Sequence, residues 1–397
     1  MATLPNSVDV IIIGAGGAGL MCATEAANRG RTVLVLDHAE KVGKKILISG
    51  GGRCNFTNTG AKAECYVSGN PHFCKSAFGQ YTQHDFISLV EAHNIAYHEK
   101  KLGQLFCDKS AQQIVDMLVG DAEQAGAQIV LSCPVTEVAK QGDDFVVVTP
   151  YGSVKAQSVV IACGGLSIPK IGATDFGYRI AKQFGLKLVA PEPALVPFTF
   201  SQQDLDFYEG LSGISLEADV SCGKVTFREN ILITHRGVSG PAILQISSYW
   251  KKGDDVYVHM LPTLDWEEHL KAMRTQAAKQ ELKTILGDIL PKRLVSRVFE
   301  VGHMQNMQAS HLSDKDIRMV ASYFTRFKIT PNGTEGFRKA EVTRGGVHTS
   351  ELDARTLEAK KIPGLYFVGE VVDVTGWLGG YNFQWAWSSG HAAGQSV

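Results

Sequence analysis

The chain has no charge of either sign to spare. Its 397 residues carry 39 Lys and Arg against 40 Asp and Glu. A protein that holds polyphosphate or an anionic membrane surface usually shows a basic excess, so this balance points away from nucleic acid and membrane partners. No apolar run approaches the length of a bilayer span. The start of the chain lacks a basic region followed by a signal-type core, because the apolar run Val8–Ile13 is short and runs straight into glycines. The eight cysteines (Cys22, Cys54, Cys65, Cys74, Cys107, Cys133, Cys163 and Cys222) form no C-x-x-C and no Cys/His set with zinc spacing. They read as reduced thiols of a cytoplasmic protein without a metal site. Internal repeats, low-complexity tracts, a catalytic triad and a paired-carboxylate motif are also missing. At this length the chain has ample residues for two or three domains.

What is present starts at once. Val8–Ile13 is apolar and rich in β-branched residues, the pattern of a strand buried on both faces. Gly14-Ala15-Gly16-Gly17-Ala18-Gly19 follows, then the helix-like Leu20–Arg29, the stop Gly30, and a second buried strand Thr32–Leu36 that ends in Asp37. This is strand, G-x-G-x-x-G, helix, strand, acid. Gly14 permits the tight turn, Gly16 lets the backbone approach a pyrophosphate, and Gly19 lets the helix pack on the strand. Gly17 and Ala18 lie in the turn that leads into the helix, whose unpaired N–H groups and dipole favour an anion. Asp37, with His38 beside it, is placed to accept hydrogen bonds from a ribose diol. No second such fingerprint occurs.

Further along, Lys45 and the run Ser49-Gly50-Gly51-Gly52-Arg53-Cys54-Asn55 cannot form a good helix or strand. Such a segment suits close approach to a flat or phosphorylated ligand. Lys45 and Arg53 have phosphate chemistry, and Ser49, the Gly51 backbone and Asn55 can meet a ring edge. The stretch from Tyr66 to Phe106 reads as helical segments, Ala111–Ala125 as a helix and Gln128–Val138 as one strand. A hairpin around Pro150-Tyr151-Gly152 leads to the buried return strand Ser158–Ala162, which ends in Cys163-Gly164-Gly165. From Pro191 short strand-like runs with turn residues between them suggest a small β module. From Asp265 the apolar period changes to that of helices, and Phe327 returns to strand. Late in the chain Gly364–Gly369 reads as a strand ending at Glu370. Leu378-Gly379-Gly380-Tyr381-Asn382 precedes a helix whose N-terminus can offset negative charge on a ligand. His235, His348, Tyr381 and Cys54 are the candidate proton donors.

The order of strand, β-meander, return strand and late Gly-acid strand resembles the FAD-binding domain of glutathione-reductase-like flavoproteins. The runs KILISGGGRCNFTN, THRGVSGP, AEVTRGGV and GLYFVGEVVDVTGWLGGYN resemble the YhiN/BaiN-type family of NAD(P)/FAD-dependent oxidoreductases. The resemblance covers the whole chain. It implies an α/β fold: a Rossmann-like FAD-binding domain with an inserted small β-barrel, itself carrying a helical insert. The expected parts are residues 1–190 and 346–397 for the FAD domain, 191–264 and 327–345 for the barrel, and 265–326 for the helices. It places Gly14–Gly19, Asp37, Lys45, Ser49, Arg53, Asn55, Val135, Ala162, Cys163, Gly164, Gly369, Glu370 and Leu378–Asn382 around FAD. The main expectation is hydride transfer from NAD(P)H through the flavin to an activated C=C bond of a small organic substrate. The alternatives are a flavin monooxygenase, a flavoprotein acting on RNA, and a non-catalytic flavin-binding protein.

Overall fold

The computed structural model of the chain describes residues 4–302 and 304–397. Two units divide it: residues 1–193 with 341–397, and residues 194–340.

In the first unit the strand Ser7–Ile13 lies between two parallel neighbours, Val33–Leu36 and Gly152–Ile161. Gln128–Val130 extends the parallel sheet beyond Val33–Leu36, and Leu365–Phe367 pairs with the C-terminal half of Gly152–Ile161. Ile13 stands opposite both Leu36 and Ile161, and Ile161 opposite Phe367, so the strands end along one edge. The N-terminal half of Gly152–Ile161 instead joins an antiparallel meander with Asp144–Thr149 and Glu137–Gln141. Val10–Ile13, Val33–Leu36 and Val159–Ile161 are all buried, as apolar strands covered on both faces must be.

The helix Gly17–Asn28 packs on the C-terminal helix Tyr381–Gly394. Of Ser388, Ser389 and Gly390, which weaken the helical pattern of the sequence, Gly390 makes that contact possible. A Cβ on Gly390 would lie 2.3 Å from the carbonyl oxygen of Ala18. Both serines are fully buried and donate to carbonyls, Ser388 to Tyr81 at 2.7 Å and Ser389 to Trp385 at 2.6 Å.

Two stretches differ from the sequence reading. Gln128–Val138 is not one strand: it breaks after Val130, with Ser132 at φ 50° and Pro134 unable to donate to a ladder, and resumes at Glu137. Tyr66–Phe106 contains the helices Lys75–Gln80 and Gln83–Ala92. It also contains two strands, Tyr97–Glu99 and Gln104–Cys107, which form a three-stranded sheet with Asn55–Asn58.

The second unit holds a seven-stranded antiparallel sheet. Its edge strands are Phe327–Ile329 and Gly333–Thr334, and its centre is the long hairpin Ser215–Cys222 and Val225–Thr234. Among the described residues no ladder joins the two edges, so the sheet is an open path where a closed small barrel was expected. The helices Trp266–Gln276, Leu282–Ile289, Lys292–Val301 and Asp314–Thr325 belong to the same unit. Asp265 caps the first of them by accepting the N–H of Glu268 at 2.9 Å, and Ser313 with Asp316 forms a capping box on the last. Residues 341–345 fall in the first unit rather than with the insert, because Val342–Val347 pairs with Leu188–Ala194. No helix among the described residues is long and apolar enough to cross a membrane.

Candidate functional site

A cleft of about 460 Å³ opens in the first unit, lined by residues that follow the carboxyl ends of the parallel strands. That edge is where open α/β sheets bind ligands. The glycine turn forms part of its lining, and the glycines divide their work. A Cβ on Gly14 would lie 2.5 Å from the Ala162 carbonyl oxygen, and one on Gly19 only 2.0 Å from that of Gly14. Both are packing requirements between turn, helix and return strand. Gly16 meets nothing within 4 Å and lines the cleft. The helix that starts at Gly17 has no side-chain cap and no acid in its first turn, so its leading N–H groups are available to an anion. Gly17 and Ala18 also line the cleft.

Asp37 closes the turn. One carboxylate oxygen accepts the Ala15 N–H at 2.7 Å and the other accepts that of Ala39 at 2.8 Å. Each oxygen keeps a further lone pair for a hydroxyl. His38 and Val135 line the same end; Val135 gets there through the break at Pro134. Ala162, Cys163 and Gly164 line the wall, with the Ala162 N–H donating to Ile13 at 2.9 Å. Burial pushes the Cys163 thiol up to about 12, so it stays protonated.

Lys45 and Glu370 both line the cleft and form an ion pair with each other. The lysine also donates to Ser167 Oγ at 2.7 Å. The other Glu370 oxygen accepts Ser167 Oγ at 3.0 Å and the Thr343 N–H at 2.8 Å. Lys45 is therefore engaged with a carboxylate, where the sequence suggested a phosphate. Gly369, at φ 73°, is held by the C-terminal helix: its N–H donates to Ser389 Oγ at 2.9 Å and its carbonyl accepts the Trp385 indole at 3.0 Å.

Several expected residues lie outside the cleft lining. Ser49 donates to the Ile46 carbonyl at 2.7 Å, and Gly51 and Arg53 are exposed. The Asn55 amide, oriented to satisfy both its ends, accepts the Gly380 N–H at 3.2 Å. Gly379 and Gly380, at φ 109° and 96°, shape the approach to the C-terminal helix, and Leu378 precedes them. Tyr381 packs its ring against Tyr66 and Trp377, and burial pushes its phenol well up. Asn382 does line the cleft, its amide fixed by the Gly376 N–H at 2.8 Å and the Gly376 carbonyl at 2.9 Å.

The candidate proton donors separate clearly. Cys54 is fully buried and burial holds its thiol far above the usual range, so it is a packing residue. His235 is exposed on a turn of the second unit. His348 is half-buried, and its Nδ1 accepts the Ser350 N–H at 3.1 Å, which leaves Nε2 to carry the ring proton. The neighbouring Asp373 carboxylate, 6% exposed, accepts the Gly69 N–H at 3.1 Å. Burial pushes it up, and His348 and Arg344 oppose the shift.

Sequence reasoning missed the loop at 171–174, which lines the cleft together with Phe176 and Arg179. Its signal was positional: it follows the return strand at a carboxyl end, where a ligand is expected. Among the described residues no cluster of His, Cys, Asp or Glu could hold a metal ion.

Residues 8–396 match the family model described as the HI0933-like protein Rossmann domain. The chain is 51% identical over 390 residues to the ribosomal RNA dihydrouridine synthase of Escherichia coli, an alignment covering 98% of each protein. It is 31% identical over 405 residues to the 3-dehydro-bile acid delta(4,6)-reductase of Clostridium scindens, covering 97% of this chain and 98% of that one. Among solved structures, the 3-ketosteroid-delta4-(5alpha)-dehydrogenase of Rhodococcus jostii RHA1 has a TM-score of 0.51 at 16% identity, covering 98% of this chain and 96% of that one, a likeness of fold alone. With nearly its whole length inside the family model, the chain belongs to the HI0933-like family of Rossmann flavoproteins, the YhiN/BaiN type, and is an oxidoreductase.

Proposed function

We propose that this chain binds FAD in the cleft of its first unit and reduces the C5=C6 bond of uridine in ribosomal RNA, with NAD(P)H as donor. The observation that carries the reading is 51% identity, over 98% of both chains, to a ribosomal RNA dihydrouridine synthase. A relative named for a 3-dehydro-bile acid fits the same chemistry. Uracil and a 3-oxo-4-ene both present a C=C bond conjugated to a carbonyl. The carbon β to the carbonyl takes hydride and the α carbon takes a proton. Uridine, NAD(P)H and one proton give dihydrouridine and NAD(P)⁺.

Bound FAD supplies the hydride chemistry; the protein supplies binding, orientation and electrostatics. Gly14–Ala18 and the helix N-terminus hold the pyrophosphate, and Asp37 holds a ribose diol. Glu370, fixed by Lys45, Ser167 and Thr343, holds a second polar part of the cofactor. His348, with its proton on Nε2 near Asp373, is the candidate retained for proton delivery. Lacking a second dinucleotide fingerprint, the chain receives NAD(P)H without a second Rossmann domain of its own.

This reading sets aside the expectation of a small-molecule substrate. Charge balance over the whole chain argued against nucleic acid, yet phosphate contact needs only a few lysines in the right place. The test is anaerobic incubation of the FAD-loaded protein with NADH or NADPH and unmodified ribosomal RNA transcripts, followed by nucleoside mass spectrometry. Uridine should gain two hydrogens. If the transcripts never gain them while a 3-oxo-4-ene steroid is reduced, the RNA substrate is wrong and the small-enone reductase stands.

A further inference from the structure

The hairpin between Tyr97–Glu99 and Gln104–Cys107 turns through Lys100, Lys101, Leu102 and Gly103. Leu102 has φ 51° and is 63% exposed. A left-handed hairpin position ordinarily takes Gly or Asn, and a bulky side chain there is strained. Leu195, Leu357 and Cys54 also have positive φ, but each is at most 2% exposed, so core packing accounts for them. Leu102 has no such account: its side chain is held out in water by a strained backbone.

The tip is not loose. The side chain of Asn58, 1% exposed, donates from Nδ2 to the Leu102 carbonyl at 3.0 Å and to the Gly379 carbonyl at 2.9 Å. One amide thus ties the hairpin to the glycine pair that leads into the cleft-lining helix. The Thr59 N–H donates to Gly103 at 2.9 Å, which brings the exposed Lys62 segment to the same end. Lys100 and Lys101 are exposed beside Leu102, and Lys100 Nζ lies 5.4 Å from the Phe106 ring centre. Glu99 is the carboxylate at the tip, and it accepts the Gly103 N–H at 2.9 Å.

We propose that this tip is a contact for the RNA strand that carries the target base. The inference rests on the RNA reading above. A base that must meet a buried cofactor has to leave its stack, which opens a gap in the strand. An apolar side chain fills such a gap, and flanking lysines hold the adjacent phosphates. Leu102 is the wedge, and Lys100 and Lys101 are the phosphate contacts.

Two variants of the full-length FAD-loaded protein test this with unmodified ribosomal RNA transcripts as the probe. Leu102→Gly relieves the backbone, so melting temperature and FAD content should hold or rise. Transcript binding and uridine reduction should fall roughly tenfold, with an unchanged salt dependence. The double variant Lys100→Gln/Lys101→Gln should instead lower the slope of log affinity against log salt by roughly 1.4. If wild type binds and both variants bind equally well, the hairpin contact is wrong and the RNA reading survives. If wild type neither binds nor reduces any transcript, the RNA reading fails and takes the hairpin with it. A Leu102→Gly variant that melts earlier or loses FAD shows a structural role and overturns the inference.

Discussion

The Asp37 carboxylate accepts the backbone N–H of Ala15 at 2.7 Å, across the glycine turn. The residue proposed to hold a ribose therefore also holds the turn proposed to hold the pyrophosphate. Asp37→Ala removes both functions and leaves the N–H groups of Ala15 in the turn and of Ala39 without their acceptor. FAD affinity should fall by about 2 kcal/mol, roughly thirtyfold. Asp37→Asn, which keeps one acceptor oxygen, should fall less. Titration of apoprotein with FAD, followed by flavin fluorescence, decides the matter; equal affinity for Asp37→Ala and wild type would remove Asp37 from the site.

The glycines of the turn should separate folding from binding. Gly16 has open space around its missing Cβ and extended backbone at φ −88°, so Gly16→Val should fold with a near-normal melting temperature and without FAD. Gly19→Ala puts a methyl 2.0 Å from a carbonyl oxygen and should cost about 2–3 kcal/mol of stability. Thermal melts and the visible spectrum of each purified variant check both halves. A yellow Gly16→Val protein would contradict the pyrophosphate assignment.

Asp373 yields a pH prediction. Its carboxyl is pushed up by burial, with His348 and Arg344 opposing and the Gly69 N–H bonded to it. A folded-state value above the unfolded one means full stability below the unfolded range and a penalty that grows as pH rises through the folded value. Asp373→Asn keeps an acceptor for Gly69 and carries no charge. It should be more stable than wild type near neutral pH, and the difference should vanish below about pH 4. Thermal melts at the two ends of that range report it. A variant less stable at neutral pH would show that the charge on Asp373 is favourable where it sits.

The parts of the site that are contiguous in the chain were legible from the residues alone. Gly14 to Asp37 is one local strand-turn-helix-strand unit, whose buried β-branched runs and glycine spacing leave little choice of conformation. The capping residues Asp265 and Ser313 were readable for the same reason, since a cap acts within three residues of itself. Lys45 was not. Its partner Glu370 is 325 residues away, and nothing local distinguishes a lysine facing a phosphate from one facing a carboxylate. The strand Gln104–Cys107 was missed because short apolar runs suit helix and strand alike until a partner strand is known.

Sequence by itself determined the family, the dinucleotide fingerprint and the buried parallel sheet, because hydrophobic period and glycine spacing act over a few residues. Tertiary structure decided which side chains meet. Asn58 joins Leu102 to Gly379 across 44 residues one way and 321 the other, and no periodicity encodes that bond. Gly390 reads as a flaw in a helix until the Ala18 carbonyl is found 2.3 Å from where its Cβ would be. Such contacts depend on how separate elements pack. Packing is set by the shape of the whole core, which short-range patterns do not specify.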